Sequence, residues 1–215
     1  MTNNGQSAPA GARAYHHGDL RRSLIDAAMA LVTEEQDWTF SLREVARRAG
    51  VSHNAPYNHF ADKSDLLAAV AAAGFETLHE RLLASIAGIE SAETALVKSG
   101  IAYVKFGFEN PAHYRLMFGS ALATAERERP GSVTDAAERA KLVLGEIIDR
   151  GARGGVFAFS PESKKEMQIA VLSAWSAVHG LTMLALDGQI GPPPLRVDKI
   201  AEKLGRTFCY GLVRR

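Results

Sequence analysis

The chain has 215 residues, 47% of them hydrophobic and 23% charged, with a formal net charge of +1 at neutral pH. That length and apolar content can bury a full core as a small domain joined to a larger one, and they exclude a chain disordered throughout. A single cysteine, Cys209, excludes an intramolecular disulfide framework, a thiol pair and a cysteine-based metal cluster, and fits a reducing, cytoplasmic location.

Residues 1–14 are polar and rich in small side chains, without the apolar core of a secretion signal, and read as a flexible tail. Apolar stretches such as Leu66 to Phe75 fall short of the roughly 20 residues that span a bilayer, so no membrane partner is expected. Charge alone does not point to nucleic acid. Residues 1–65 hold seven Lys or Arg against eight Asp or Glu, although four of the seven histidines (His16, His17, His53, His59) also fall there. Any case for DNA must rest on where the cations sit.

In chain order, Leu20, Leu24, Ala27, Ala28 and Leu31 follow the three-to-four spacing of an amphipathic helix over about 19–34, with Asp19 as its cap. Ser41-Leu42-Arg43-Glu44 has the form of a capping box and opens a short helix over about 42–49, whose buried stripe is Leu42, Val45, Ala46 and Ala49. Gly50 can take the left-handed conformation that ends a helix, Val51 can drop into the core, and Ser52 can cap a third helix over about 53–59. Asp62, with Asp65 three residues on, starts a fourth helix that reaches the mid-80s. Breakers at Gly88, Asn110-Pro111, Pro130-Gly131, Gly154-Gly155, Ser160-Pro161 and Gly191 to Pro194 then divide helical stretches near 92–109, 111–119, 131–152, 161–187 and 196–212. The expected class is all-α.

Two short helices about a tight glycine turn have the form of a helix-turn-helix, whose second helix fits the major groove. The run Phe40-Ser41-Leu42-Arg43-Glu44-Val45-Ala46-Arg47-Arg48-Ala49-Gly50-Val51-Ser52, with Ala55-Pro56-Tyr57-Asn58-His59-Phe60-Ala61-Asp62-Lys63-Ser64-Asp65-Leu66-Leu67, resembles the DNA-binding signature of the TetR (tetracycline-repressor, AcrR-like) family. The match covers about a quarter of the chain. It implies an N-terminal three-helix domain at 15–65, its helix-turn-helix at about 41–60, and a larger helical effector-binding and dimerisation domain at 66–215.

Ser52, His53, Asn54 and Asn58 can offer hydrogen bonds to base edges or phosphates, and Ala55 can touch a thymine methyl. By resemblance, Ser41, Arg43, Tyr57, His59 and Lys63 look like contacts to the DNA backbone, with Arg13, His16, His17, Arg21 and Arg22 as a cationic arm beside them. Pro56 forfeits a backbone donor early in the third helix and is expected to distort it.

Tyr103 to Phe118, and Trp175-Ser176-Ala177-Val178-His179-Gly180, resemble a TetR subgroup with a Trp-x-x-x-His-Gly motif in its regulatory domain. Trp175 and His179 share a helical face, and Tyr103, Phe106, Tyr114, Met117 and Phe118 supply an aromatic and methionine lining that suits an apolar effector cavity. The same stripe serves equally as ordinary core, and His179 as a hydrogen-bonded core histidine. The last two helices carry broad apolar faces (Ile169, Leu172, Val178, Leu181, Leu184; Ile200, Leu204, Phe208, Leu212) and resemble dimerisation helices. The resemblance implies a homodimer on a palindromic operator of double-stranded DNA, released by a small-molecule effector.

Among other classes, no phosphate-binding glycine loop, nucleophile elbow or cysteine metal motif is present, so no catalytic residue, metal or cofactor is expected. Tyr15-His16-His17-Gly18-Asp19 can mimic a metal site, but adjacent histidines on a tail are more often phosphate contacts. A helical interaction module that keeps the fold without reading DNA is the alternative, supported by the near-neutral charge of the first 65 residues.

Overall fold

Side-chain caps set where several helices begin. The Ser41 hydroxyl accepts from the Glu44 amide (3.2 Å), a carboxylate oxygen of Asp62 from Asp65 (2.8 Å), Ser91 from Thr94 (3.2 Å) and Ser163 from Glu166 (3.3 Å), each satisfying an otherwise orphaned donor three residues on. The computed structural model describes residues 17–122, 128–191 and 196–212. Among these residues the elements are α1 (His17–Glu35), α2 (Leu42–Arg48), α3 (Lys63–Ile86), α4 (Ala92–Glu109), α5 (Pro111–Phe118), α6 (Gly131–Arg153), α7 (Lys164–Leu186) and α8 (Val197–Leu212), with 3₁₀ turns at Ala55–Asn58 and Ser120–Leu122. No strand occurs among the described residues, and the all-α class and the breaker positions up to Ser160-Pro161 hold; of Gly191 to Pro194, all but Gly191 lies outside the described residues.

Four local expectations are corrected. The chain is already helical at His17, so Asp19 lies within α1 rather than at its cap. The Glu44 carboxylate pairs with Arg47 (3.3 Å) instead of closing the capping box. The expected helix over 53–59 is a single 3₁₀ turn, and Ser52 contributes its carbonyl, not a side-chain cap. Pro56 has no N–H for the Ser52 carbonyl, which is taken by Ala55 (3.0 Å); Tyr57 then bonds Asn54 (3.2 Å) and His59 bonds Pro56 (3.0 Å), all with three-residue spacing. Finally, α7 is by length and composition long and apolar enough to cross a membrane, and little of it is buried within the chain.

The turn after α2 follows the reading of Gly50. At φ +69° it supplies the left-handed residue, its amide reaching Arg47 (3.2 Å) while Val51 reaches Ala46 (3.0 Å), the two bonds of a Schellman end.

Leu24, Ala28, Val45, Phe60 and Leu66 are essentially without solvent exposure and join α1, α2 and the start of α3. α3 then runs on unbroken past the 65/66 boundary and packs against α4, α5 and α6, so one rigid helix belongs to both parts of the chain. α4 lies against α6, α7 and α8, and α5 touches α1. Each fully buried Leu or Phe contributes about 1.5–3 kcal/mol to holding this arrangement.

Close approach of α4 to α7 depends on two glycines one heptad apart. A Cβ on Gly100 would stand 3.3 Å from Val178, and one on Gly107 only 2.3 Å from the Thr182 methyl. α7 therefore sits near enough for its Trp175 and His179 to reach α4.

Candidate functional site: a polar turn and an apolar cleft

In the first 65 residues, most described arginines are neutralised by neighbours. Arg48 forms a two-bond ion pair with Glu34, Arg47 pairs with Glu44, and Arg22 with Asp26. Arg21, Arg43 and Lys63 form no ion pair among the described residues. Arg21 lies over the Phe60 ring and Lys63 over Phe40, both at 5.2 Å, so each charge is held in place by an aromatic face rather than cancelled. Partial burial draws the Lys63 ammonium below the usual lysine range, opposed by Asp37 and Glu35.

Around them the structure leaves Ser41, Arg43, Ser52, His53, Asn54, Tyr57 and Asn58 exposed and His59 half-buried. Asn54 and Tyr57, three apart on a 3₁₀ turn, stand on one side of it, and Tyr57 is 54% exposed. Ala55 is corrected: its methyl is buried at 8% exposure beside buried Pro56, which removes it from the exposed face. His16 and Arg13 lie outside the described residues, as does the first part of the Tyr15–Asp19 cluster.

Farther along α3, an apolar cleft opens between α3, α4, α6, α7 and α8, enclosing about 120 Å³ and about 950 Å³ with the space open to solvent. Of the seven residues expected in a cavity, Tyr103, Phe118 and Trp175 line it. Phe106, Tyr114 and Met117 are core side chains at 2% exposure or less. His179 is not in the lining and is instead a half-buried, hydrogen-bonded histidine. Phe75, Leu78 and Leu82 of α3 line the cleft and were not anticipated, although their three-to-four spacing was visible; Arg129, in an irregular segment before Pro130, gave no such signal.

Beside the cleft the two segments of the resemblance meet in a polar knot. The Trp175 indole N–H donates to the Tyr103 hydroxyl (3.1 Å). The Tyr114 hydroxyl lies 2.9 Å from the Tyr103 hydroxyl and 2.7 Å from His179 Nδ1, and Tyr103 is 3.1 Å from the same nitrogen. Two hydroxyl protons cannot fill all three contacts at once, so His179 Nδ1 serves the knot either as an acceptor from a hydroxyl or, in the other tautomer, as a donor to one. Burial pulls the His179 pKa below its ordinary value and pushes both tyrosines upward, so all three groups stay neutral near pH 7.

The His113 pKa is likewise lowered by burial. Folded-state values below 6.5 mean that the unfolded chain takes up protons first, so the stability these histidines contribute is complete above pH 6.5 and is lost as the pH falls through their folded values. Thermal unfolding is expected to shift downward as the pH drops from 7 toward 5. His179→Gln, whose side-chain oxygen can accept without titrating, is expected to flatten that slope; an unchanged slope would show that His179 is not its source.

A helix-turn-helix with exposed polar residues and uncancelled cations, joined by a continuous helix to a domain with an apolar cleft, defines a one-component DNA-binding regulator. The comparisons make the class specific. Residues 24–70 match the family model for bacterial regulatory proteins of the tetR family, and residues 96–208 match the tetracyclin repressor-like C-terminal domain. The chain belongs to the TetR family and is a ligand-responsive, DNA-binding transcriptional regulator. Members of this family are generally without catalytic activity.

Among solved structures, the chain is similar to a protein of unknown function from Rhodococcus sp. RHA1, with 30% identity and a TM-score of 0.77 over 94% of this chain and 100% of that one. A TetR family regulator from Marinobacter aquaeolei VT8 shares the fold at 17% identity and a TM-score of 0.65, covering 92% and 97%. The regulator FadR from Bacillus subtilis, in complex with stearoyl-CoA, does so at 15% identity and a TM-score of 0.69, covering 89% and 98%.

Proposed function

We propose that the protein is a cytoplasmic homodimeric repressor that binds a palindromic operator and releases it when a small-molecule effector enters the cleft. The observation that carries this reading is α3: one helix begins at Lys63, beside the polar turn, and presents Phe75, Leu78 and Leu82 to the cleft. An effector that displaced α3 would tilt the DNA-reading turn with it. α5 offers a parallel route, because it carries Tyr114 and Phe118 and also packs on α1. Linkage requires only that the effector bind the DNA-incompetent spacing better than the competent one. No cofactor beyond the effector is called for.

On this reading Ser41, Arg43, Tyr57, His59 and Lys63, with Arg21, His16 and His17, contact the DNA backbone, and Ser52, His53, Asn54 and Asn58 face the bases. The hydrogen bonds joining Trp175 and His179 to Tyr103 support placing the chain in the subgroup with the Trp-x-x-x-His-Gly motif.

The dimer rests on α7. Ile169, Leu172 and Leu184 are 53%, 57% and 49% exposed. At about 3.6 residues per turn they fall within one arc of the helix, centred on Ser173, Ser176 and Gly180, small residues that let a second helix come close. With Ile200 of α8 they form an apolar face that a soluble monomer would have to expose. Leu172→Lys with Leu184→Lys is expected to yield a folded monomer by light scattering, with operator affinity reduced at least a hundredfold. A variant that stayed dimeric would move the interface elsewhere.

A further inference from the structure

We infer that the cleft takes a small amphiphilic anion, an apolar body ending in one carboxylate, and that Arg129 receives the carboxylate. The inference rests on reading the cleft as the effector site.

Most of the cleft wall is hydrocarbon and aromatic, from Phe75, Leu96, Phe118, Trp175, Val178 and Phe208. Its charged members are Arg129, Glu138 and Lys141, and the last two neutralise each other at 2.5 Å. Arg129 meets no carboxylate among the described residues. One Nη donates to the Met117 carbonyl at the end of α5, and the guanidinium lies over the Phe75 ring at 5.8 Å. Its Nε is buried without any acceptor. Burial draws the group below the usual arginine range, and no anion among the described residues offsets the loss of hydration.

A buried N–H on a cation with no partner is costly, and evolution seldom leaves one on an apolar wall unless something supplies the acceptor. Two residues beyond Arg129, α6 begins at Gly131 after Pro130, which provides no side-chain cap, so the partial positive charge of that helix end adds to the guanidinium. A carboxylate can take the Nε–H together with a neighbouring Nη–H in the forked geometry arginine offers. One cation uncompensated among the described residues balances one negative charge, which selects a carboxylate over a dianionic phosphate. The apolar wall would hold the body of the ligand.

The test is displacement of the neutral dye N-phenyl-1-naphthylamine from the full-length protein at pH 7.5 by octanoate, 1-octanol and octylamine. An apolar cleft without a cation would rank the alcohol above the carboxylate. The expected result is the reverse, octanoate binding at least about tenfold more tightly than octanol, with octylamine weakest. R129Q should bind the dye normally but lose the preference, R129K should keep part of it, and K105Q, an exposed lysine of α4 outside the cleft, should leave it unchanged. The wild-type ratio needs no variant, so it decides the matter even if R129Q fails to fold. Dye binding with octanol equal to or better than octanoate, or an unchanged preference in R129Q, would overturn the carboxylate inference and leave the cleft as an effector site. No dye binding would overturn the cleft reading itself, and the inference with it.

Discussion

Tyr57→Ala is expected to weaken operator binding about a hundredfold while leaving the melting temperature within a degree or two of the parent. The side chain is 54% exposed on the 3₁₀ turn between the two ends of the helix-turn-helix, so its removal opens no cavity and takes little from the core. On the proposed reading its hydroxyl contacts the DNA backbone. A hydrogen bond to a charged phosphate is worth about 1.5 kcal/mol, and a twofold dimer loses it twice, for about 3 kcal/mol in all. Tyr57→Phe keeps the ring and should show nearly the same loss. Because a backbone contact carries no sequence information, the affinity should fall on every DNA alike. Fluorescence anisotropy with the selected operator and a scrambled duplex reads both quantities, and unaltered affinity in Tyr57→Ala would remove this residue from the interface.

Gly107→Val is expected to cost about 3 kcal/mol of stability and to dismantle the polar knot beside the cleft. The first carbon of any side chain there would stand 2.3 Å from the Thr182 methyl and 3.2 Å from the Tyr114 ring. Thr182 and Tyr114 are both at 0% exposure, so neither has space to yield, and α4 and α7 must separate. Better helix propensity offsets only part of the strain. Separating these helices pulls His179 and Trp175 away from Tyr103, so the variant should also lose the acid-dependent part of the melting curve that His179 supplies. Gly145, on α6 with nothing within 4 Å of the place a Cβ would take, is the control: Gly145→Ala should be neutral or mildly stabilising. A Gly107→Val protein melting with the parent would mean that α4 and α7 are held less closely than described.

Much of this molecule was legible in the sequence because its helices carry their own punctuation. Asp62 with Asp65, Gly50, Asn110-Pro111 and Pro130-Gly131 fix boundaries through local hydrogen bonds and backbone preference, which need no knowledge of the rest of the chain. The third helix was less legible. Pro56 announced a distortion, but whether the chain recovers an α-helix or stays in a 3₁₀ turn depends on how Ala55, Pro56 and Phe60 pack, which is tertiary information. Ala55 was misjudged for the same reason, since a shift in helix type rotates the exposed face.

In the larger domain, an aromatic stripe at helical spacing does not say whether an opposing helix fills the space or leaves it open. Phe106 and Met117 are filled against, whereas Tyr103, Phe118 and Trp175 border a gap. Whether His179 sits in the cavity or the core turned on the reach of two tyrosine hydroxyls from other helices. The apolar length of α7 was likewise hidden by interspersed serines and alanines, and only the exposure of Ile169, Leu172 and Leu184 shows that its outer face lacks cover within the chain.

The central claim is that the exposed polar turn reads DNA as part of a twofold dimer. It is tested most directly by selecting random duplex DNA with the purified protein near ~0.15 M salt, where non-specific binding is weak, and then titrating salt against the winning sequence. The expected outcome is an inverted repeat with half-sites about one helical turn apart, bound with an affinity that falls steeply as salt rises. Failure to enrich any sequence across several salt concentrations, by protein shown to be dimeric and folded, would contradict the claim and favour a helical interaction module that has kept this fold without reading DNA.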